Sequence, residues 1–388
     1  MFKGVALSRW SKGVSALLSV TFIVVVFVSQ FLNSNAGRAS DVMVLGDSRF
    51  IRVIGRGDAQ RGKLSFDWPA SGFEFSFEGS SATVLLHDQP FPDRTPANDW
   101  IDIELDGQHL RSQELATGLQ NIQISVRPGS PSPRHHVRVR KRTEAEVGSI
   151  ILFNIRLAGD ARRRFAALPA QRPTLEAIGD SITAGFGVLG TSAACSFTPA
   201  SEDALATYSA LAAAELNFAY SAVAWSGKGV LQNEDPLDSE RLLNLYDRAV
   251  ASVPISNWRH RRTDASVVVV NLGTNDCAHG CPSKERLVAA YSSLLRRVRM
   301  SHPSANIVMI LGPMLYDEGA IQYRSEIREA LNAAIVSCRA AGDERISLTE
   351  LWANPDEGSG CQYHPNAAAH RRFAHELAEA IRVLPTVR

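Results

Sequence analysis

A chain of 388 residues exceeds the roughly 150 residues of an average domain and predicts two folded units plus a tail. With 45% hydrophobic and 21% charged residues, its composition excludes a disordered or fibrous protein. The net charge of +1 argues against nucleic acid as a partner, because the locally basic stretch 134–142 is balanced by acidic residues elsewhere.

The N-terminus has the pattern of an export segment. Three basic residues precede an uncharged stretch whose apolar centre is residues 17–28. Small residues at 34–36 offer a signal-peptidase site, but the apolar run is also long enough to remain as a single-span membrane anchor. Both outcomes assign residues 1–40 to targeting. They place the rest of the chain in the periplasm, outside the cell, or anchored facing outward.

From residue 41 to about 160, short strand candidates alternate with turn residues. Phenylalanines alternate strictly with polar residues at 73–77, and Asp106-Gly107 is a hairpin signal. The strand candidates are 73–77, 82–86, 100–105, 122–126, 136–140 and 149–155. This pattern predicts an all-β sandwich of the jelly-roll type.

Residues 161–173 belong to a stretch rich in Arg, Ala and Pro and are predicted as the linker to a second domain, 174–388. Continuous apolar runs there are typical of buried parallel strands, and they alternate with helical patterns. The strand candidates are 175–178, 218–223, 266–272 and 307–311, and the helix candidates are 204–216, 284–300, 323–341 and 367–383. We expect a parallel sheet covered by helices on both faces, with the ligand site beyond its carboxyl edge.

A serine that follows one of these strands is the candidate nucleophile. Ser181 lies directly after the run 175–178 and before a Gly-rich turn. A serine hydroxyl needs a base to take its proton, and His364, just before the last helix, is the candidate.

An acyl-transfer site also needs fixed donors for the oxyanion of the tetrahedral intermediate. Asn275 follows the strand 266–272 and can supply a side-chain amide. Gly227 follows the strand 218–223 and can supply a backbone N–H, and the N–H of Ser181 would be a third donor.

These residues carry a family resemblance. The chain resembles the SGNH hydrolase superfamily, whose four sequence blocks match, in order and spacing, Gly179-Asp180-Ser181, Gly227, Gly273-Thr274-Asn275-Asp276 and His364-Pro365. Upstream, the run from His136 to Glu144, with Gly55-Arg56, resembles the sandwich domain of carbohydrate esterase family 2. The resemblance implies an α/β SGNH (flavodoxin-like) hydrolase domain with a parallel sheet, preceded by an all-β jelly-roll sandwich domain.

The same resemblance implies an exported serine esterase that removes O-acetyl groups from polysaccharides such as xylan or glucomannan. Its partner would be an acetylated poly- or oligosaccharide, and it would need neither a metal nor an organic cofactor. Two alternatives stay open. One is an envelope glycan O-acetyltransferase or a general GDSL lipase using the same serine. The other is a carbohydrate-binding or envelope protein whose hydrolase domain has lost activity.

One departure from the family pattern concerns the base. The Asp expected two or three residues before His364 is replaced by Gln362 and Cys361. In some family 2 esterases a backbone carbonyl holds the histidine instead. Here the side-chain oxygen of Gln362 could do so, or Asp356 with its neighbour Glu357 could fold back.

Aromatic residues near these blocks are candidates for sugar contacts. Tyr363 adjoins the base and Trp225 precedes Gly227, although aromatics in such loops are often core residues. A second Gly-Asp-Ser, ending at Ser48, lacks a following helix and is interpreted as a turn.

The five cysteines all follow residue 190, and at least one must stay unpaired within the chain. Cys277 and Cys281 flank His279, but a structural zinc needs about four ligands. We therefore expect a local disulfide or two plain thiols there rather than a metal site.

Overall fold

The computed structural model describes residues 42–43, 50–91, 97–130, 132–158, 164–259 and 265–385. The predicted export segment 1–40 and the Gly-Asp-Ser that ends at Ser48 lie outside these residues. Within them, no helix combines the length and apolar character needed to cross a membrane.

Two antiparallel sheets form the N-terminal part of the structure. The first has the order β3-β4-β11-β6-β9, with β1 also paired to β11, and the second has the order β12-β5-β10-β7-β8, with β2 also paired to β5. The strands are β1 (Val42–Met43), β2 (Ile51–Ile54), β3 (Asp58–Gln60), β4 (Lys63–Phe66), β5 (Gly72–Glu78), β6 (Ser81–Pro90), β7 (Trp100–Leu105), β8 (Gln108–Glu114), β9 (Gly118–Ser125), β10 (Arg134–Lys141), β11 (Gly148–Ala158) and β12 (Arg164–Ala166).

The core between these sheets follows from side-chain alternation. Buried and half-buried residues alternate along β6 and β10, so one face of each strand points inward. Phe73, Phe75 and Phe77 of β5 pack in the same apolar cluster as residues of the opposite sheet such as Leu86 and Leu152. The predicted β-sandwich is confirmed.

The C-terminal part of the structure contains a five-stranded parallel sheet, in the order β14-β13-β15-β16-β19. Its strands are β13 (Thr174–Gly179), β14 (Ala219–Ala224), β15 (Val267–Asn271), β16 (Asn306–Leu311) and β19 (Ile346–Glu350). A hairpin of β17 (Asp317–Glu318) and β18 (Ile321–Gln322) follows β16. The last strand of the sheet was not predicted, because this edge strand has the half-polar sequence ISLTE and only one fully buried residue.

Helices cover both faces of this sheet, as predicted. They are α1 (Ser181–Ala184), α2 (Tyr208–Glu215), α3 (Leu242–Leu245), α4 (Lys284–Ser301), α5 (Tyr323–Ala340) and α6 (Ala367–Arg382). One apolar cluster joins one sheet face to α4 and α5, and another joins the opposite face to α2 and α6. The predicted helix 204–216 begins later, at Tyr208, because the Thr207 side chain caps it.

The stretch predicted as a linker, 161–173, contributes to the sandwich. Its residues Arg164–Ala166 form β12, which pairs with β5 at the edge of the second sheet. The domain boundaries 41–160, 161–173 and 174–388 remain a prediction.

The sandwich and the parallel sheet are joined by buried polar contacts. Arg56, fully buried, donates to both carboxylate oxygens of Glu176 on β13 at 3.0 and 3.1 Å. Burial opposes ionisation of Glu176, but the Arg56 charge and the His302 hydrogen bond prevail and hold its pKa at about 2. Asp67 accepts the backbone N–H groups of Ala251 and Ser252 at 2.6 and 2.9 Å.

Arg56→Ala should destabilise the protein by about 3–5 kcal/mol, because it leaves the Glu176 carboxylate buried without its cation. The measurement is urea-induced unfolding followed by fluorescence. The matched control is Arg164→Ala, which breaks the exposed pair with Glu78 and should leave the unfolding midpoint nearly unchanged. Equal shifts in the two variants would contradict this account.

Candidate active site

Ser181 occupies the junction of β13 and α1, at the carboxyl edge of the parallel sheet. Asp180 caps the helix by accepting the Ile182 N–H at 3.1 Å, and burial raises the pKa of Asp180 to about 7. Gly179 allows the tight turn, since a Cβ there would lie 2.0 Å from Thr183 Oγ1. The local sequence therefore fixes where the serine hydroxyl points.

His364 meets Ser181 as predicted. Its Nε2 lies 2.8 Å from Ser181 Oγ, and its Nδ1 lies 3.1 Å from the backbone carbonyl oxygen of Gln362. A carbonyl can only accept, so the neutral ring carries its proton on Nδ1 and presents the lone pair of Nε2 to the serine hydroxyl. This is the arrangement that a general base needs.

Of the two residues expected to orient His364, Gln362 meets the ring and Asp356 does not. Gln362 holds the ring through its main chain and not through its side chain. Asp356 lies exposed in a 3-10 turn, where its N–H is bonded to the Asn354 side chain, and neither hydrogen bond described for the His364 ring goes to it. The adjacent Glu357 is paired with Arg372. Neither carboxylate folds back, because the turn that carries them is anchored to α6.

The backbone before His364 is held in an unusual conformation. Gln362 and Tyr363 both have positive φ, at 51° and 64°, which costs non-glycine residues of order 1–3 kcal/mol each. A disulfide joins Cys361 to Cys195, and Cys361 N–H donates to the Gly187 carbonyl at 3.1 Å. The surrounding structure thus holds the carbonyl that faces Nδ1.

An aromatic pair packs against the base. The ring centroids of Phe186 and His364 lie 4.5 Å apart, and Phe197 stacks on Phe186 with their ring centroids 4.1 Å apart. Burial lowers the pKa of His364 below its ordinary value of 6.5, against the hydrogen bond to Gln362. The histidine is therefore neutral, and able to act as a base, over a wider pH range.

Two of the three predicted oxyanion donors, Gly227 and Asn275, lie on two adjoining loops. Lys228 N–H bonds to the Trp225 carbonyl at 3.3 Å, which closes a turn around Gly227, whose φ is +76°. The Asn275 side-chain amide donates to the Lys228 carbonyl at 2.9 Å, so these loops touch directly. An amide nitrogen carries two N–H groups, and the bond to Lys228 uses one of them. Asp276 braces the same loop by accepting three backbone N–H groups, from residues 230, 231 and 232.

The two aromatic candidates differ in exposure. Trp225 is 7% exposed and belongs to the core cluster beneath α4. Tyr363 is 77% exposed and directly precedes the base. Of these two candidates, Tyr363 is thus the one whose side chain is exposed next to the base.

The Cys277 and Cys281 thiols form a local disulfide, and Nε2 of His279 lies 2.7 Å from the Glu234 carbonyl oxygen. Of the two expectations for this loop, a local disulfide or two plain thiols, the structure shows the disulfide. Cys338 is free.

Several residues around the site were missed at the level of sequence. Phe186 lay within the noted Gly-rich turn, but nothing indicated that its ring meets His364. Glu144, at the end of the run that resembles family 2, accepts the Ser226 N–H at 2.6 Å beside Gly227. The partner of Cys361 could not be chosen among the remaining cysteines.

Comparison with known proteins agrees with this geometry. The model of the GDSL-like Lipase/Acylhydrolase family matches residues 177–372, and that of the carbohydrate esterase 2 N-terminal domain matches residues 53–169. The fold and site thus define a hydrolase of the GDSL type with a family 2 sandwich. The chain belongs to the GDSL-like lipase/acylhydrolase family.

Related proteins match the chain across both the sandwich and the parallel-sheet part. The chain is 30% identical over 318 residues to the cellulase/esterase CelE of Acetivibrio thermocellus, which covers 81% of this chain but only 37% of that protein. It is 24% identical to an acetylxylan esterase / glucomannan deacetylase of Cellvibrio japonicus, over 92% of this chain and 95% of that one. A family two carbohydrate esterase from Clostridium thermocellum, solved with cellohexaose, superposes with a TM-score of 0.77 at 27% identity, over 86% and 98% of the chains. The predicted class, a GDSL/SGNH hydrolase that carries a family 2 sandwich, is confirmed.

The acid limb of the kcat/KM profile should have its midpoint below pH 6.5, because burial lowers the pKa of His364 and only the neutral ring accepts the serine proton. Phe186→Ala opens the ring to water and should move the midpoint up towards 6.5, whereas Phe186→Leu should move it less. Rates of 4-nitrophenyl acetate hydrolysis between pH 4 and 9 give the profiles. The assignment of the acid limb to His364 would be contradicted if the wild-type midpoint lay above pH 6.5 and Phe186→Ala left it unchanged.

Proposed function

We propose that the protein is an exported serine esterase that removes O-acetyl groups from a xylan- or glucomannan-like polysaccharide. The observation that carries the proposal is the 2.8 Å contact between Ser181 Oγ and His364 Nε2 at the carboxyl edge of the sheet. The names of the relatives, which include an acetylxylan esterase / glucomannan deacetylase, support acetylated carbohydrate as the substrate.

In the first half-reaction Ser181 Oγ attacks the acetyl carbonyl carbon while its proton passes to His364 Nε2. The tetrahedral oxyanion accepts hydrogen bonds from the N–H groups of Ser181 and Gly227 and from the Asn275 amide. His364 then gives the proton to the sugar oxygen as the C–O bond breaks. Acetyl-Ser181 and a free sugar hydroxyl result.

In the second half-reaction water attacks the acetyl-serine carbonyl and passes a proton to His364. The tetrahedral intermediate collapses, Ser181 regains its proton from His364, and acetic acid leaves and loses its proton to solvent as acetate. A neutral carbonyl stabilises the imidazolium of each step less than a carboxylate would. We therefore expect a working dyad with a lower turnover than a full triad.

Substrate contacts and export belong to the same proposal. The exposed ring of Tyr363 offers an apolar face on which a sugar can stack beside the scissile ester. The two disulfides suit an oxidising compartment, in keeping with residues 1–40 as a signal peptide or membrane anchor. On this proposal residues 41–160 are the sandwich, 161–173 the connection and 174–388 the catalytic domain.

Ser181→Ala should lower the release of acetate by at least about 1000-fold, because only the attacking hydroxyl is lost while the binding groups remain. The matched control is Ser48→Ala, which changes the other Gly-Asp-Ser and should retain wild-type rates. The measurement is acetate released from acetylated xylan and glucomannan, with unchanged circular dichroism spectra in both variants.

The same assay separates the alternatives. Rapid hydrolysis of 4-nitrophenyl palmitate without acetate release from polysaccharide would indicate a general lipase. Acetylated sugar formed in place of acetate when a sugar acceptor is added would indicate a transferase. Undiminished activity in Ser181→Ala, or no labelling of Ser181 by a fluorophosphonate, would overturn the proposal.

A further inference from the structure

The turn that presents the Gly227 N–H can exist in two forms. It spans Trp225 to Lys228, and the positive φ of Gly227 is the value required at the third position of a type II turn. Types I and II differ by rotation of the central peptide, here that between Ser226 and Gly227. In one form this N–H points to one side of the turn, and in the other form it points to the opposite side. Something must therefore select the form that serves the oxyanion.

A carboxylate from the sandwich contacts this turn. Glu144, 1% exposed, follows β10, and its Oε2 accepts the Ser226 N–H at 2.6 Å. Its Oε1 accepts the Ser226 hydroxyl proton. Both donors belong to Ser226, which precedes Gly227. The Glu144 side chain therefore holds the backbone N–H and the hydroxyl of Ser226, next to the peptide that joins Ser226 to Gly227.

Glu144 is itself held in place. Its N–H donates to Glu202 Oε2 at 3.1 Å, and its carbonyl accepts from the Lys141 ammonium at 2.7 Å. Lys141 is fully buried and paired with Asp99, also in the sandwich, at 2.6 Å. The Glu144 carboxylate is thus held by buried contacts and is not a mobile surface group.

We propose that Glu144 is a positioning residue for the esterase reaction, through which the sandwich domain fixes the turn that carries the Gly227 N–H in its oxyanion-binding form. This inference rests on the proposed function and assigns a catalytic contribution to the N-terminal domain. Glu144 acts through Ser226 and does not touch the reacting atoms.

The loss of Glu144 should lower kcat. The oxyanion forms only as the reaction proceeds, so a misaligned donor weakens the transition state without weakening substrate binding. Removing a whole oxyanion donor lowers kcat about 100- to 1000-fold, and misalignment of one donor should lower it about 10- to 100-fold. KM should stay within about threefold.

Gln, the neutral isostere of Glu144, should still position the turn at Gly227. Burial raises the pKa of Glu144, so its environment does not favour a fixed negative charge. In Glu144→Gln the amide oxygen can accept the Ser226 N–H, and the amide nitrogen can donate to the Ser226 hydroxyl oxygen. Glu144→Gln should therefore retain most of kcat.

The matched control is Asp67→Ala. Asp67 is also a fully buried sandwich carboxylate that accepts two backbone N–H groups of the other domain, but it binds the segment 251–252 instead of the oxyanion turn. Its loss should lower the melting temperature as the loss of Glu144 does. The kcat of folded Asp67→Ala, with active enzyme counted by fluorophosphonate titration, should equal that of wild type.

The experiment measures kcat and KM for 4-nitrophenyl acetate in wild type, Glu144→Ala, Glu144→Gln, Ser226→Ala and Asp67→Ala. We expect a 10- to 100-fold loss of kcat in Glu144→Ala and rescue by Gln. Ser226→Ala keeps the backbone donor and should lose only a few-fold in kcat, which also supplies a test if Glu144→Ala does not fold. Equal losses in Glu144→Ala and Asp67→Ala, no rescue by Gln, or wild-type kcat in both Glu144→Ala and Ser226→Ala would overturn the inference.

A crystal structure of the Glu144→Ala or Ser226→Ala variant gives a readout independent of activity. A rotated peptide before Gly227, or a shift of its φ away from +76°, is the expected change. An unchanged turn together with an unchanged kcat would overturn the inference while the Ser181 dyad still stood. Wild-type protein without activity that depends on Ser181 would instead overturn the proposed function.

Discussion

The hydrogen bond from His364 Nδ1 to the Gln362 carbonyl is the interaction on which the site depends, because a carbonyl can orient a base only if its backbone is fixed. Two close approaches provide this rigidity. A Cβ on Gly360 would lie 2.2 Å from the Gly187 carbonyl oxygen, and one on Gly190 would lie 2.5 Å from both the backbone nitrogen and the sulfur of Cys361. The Gly-rich turn after α1 and the segment before α6 therefore fit together without side chains between them, and the disulfide of Cys361 closes the same junction.

This junction also links the nucleophile to its base. The turn that begins after α1 carries Phe186, whose ring lies against His364. One short stretch after Ser181 thus packs against the imidazole ring and braces the backbone that orients it. The relative position of Ser181 and His364, which are 183 residues apart in sequence, depends on a few local contacts at one edge of the sheet.

Most of the fold could be predicted from sequence, because buried parallel strands and amphipathic helices leave clear patterns. Ser181, Gly227, Asn275 and His364 could be placed near one another because each follows a strand or opens a helix. The orienting residue, Gln362, was among the candidates, and a backbone carbonyl was known as an alternative from the family resemblance. Which atom of Gln362 would face the ring could not be predicted, because a backbone carbonyl has no residue-type signature. Strand β19 was missed for a related reason, since an edge strand needs no continuous apolar run.

Several buried carboxyl groups brace the loops that carry the proposed oxyanion donors. Burial raises the pKa of Asp180, Glu144 and Asp276, and each of them accepts backbone N–H groups of the active-site loops. Carboxylates suit this task, since each has two oxygens that can accept several donors at once. Their negative charge, however, opposes that of the oxyanion. A raised pKa lessens this conflict, because at neutral pH the group is less fully ionised than an exposed carboxylate.

The charge balance of the site also bears on the absent Asp of the triad. An Asp beside His364 would stabilise the imidazolium, but it would add one more negative charge to a site whose loops are already braced by buried carboxyl groups. The Gln362 carbonyl orients the ring through a dipole and adds no net charge. On the proposed mechanism, the cation on the base side is therefore stabilised less, and no further anion lies near the forming oxyanion. The N–H donors would then carry a larger share of the stabilisation of the transition state, which would make the geometry of the turn at Gly227 more important than it would be beside a full triad.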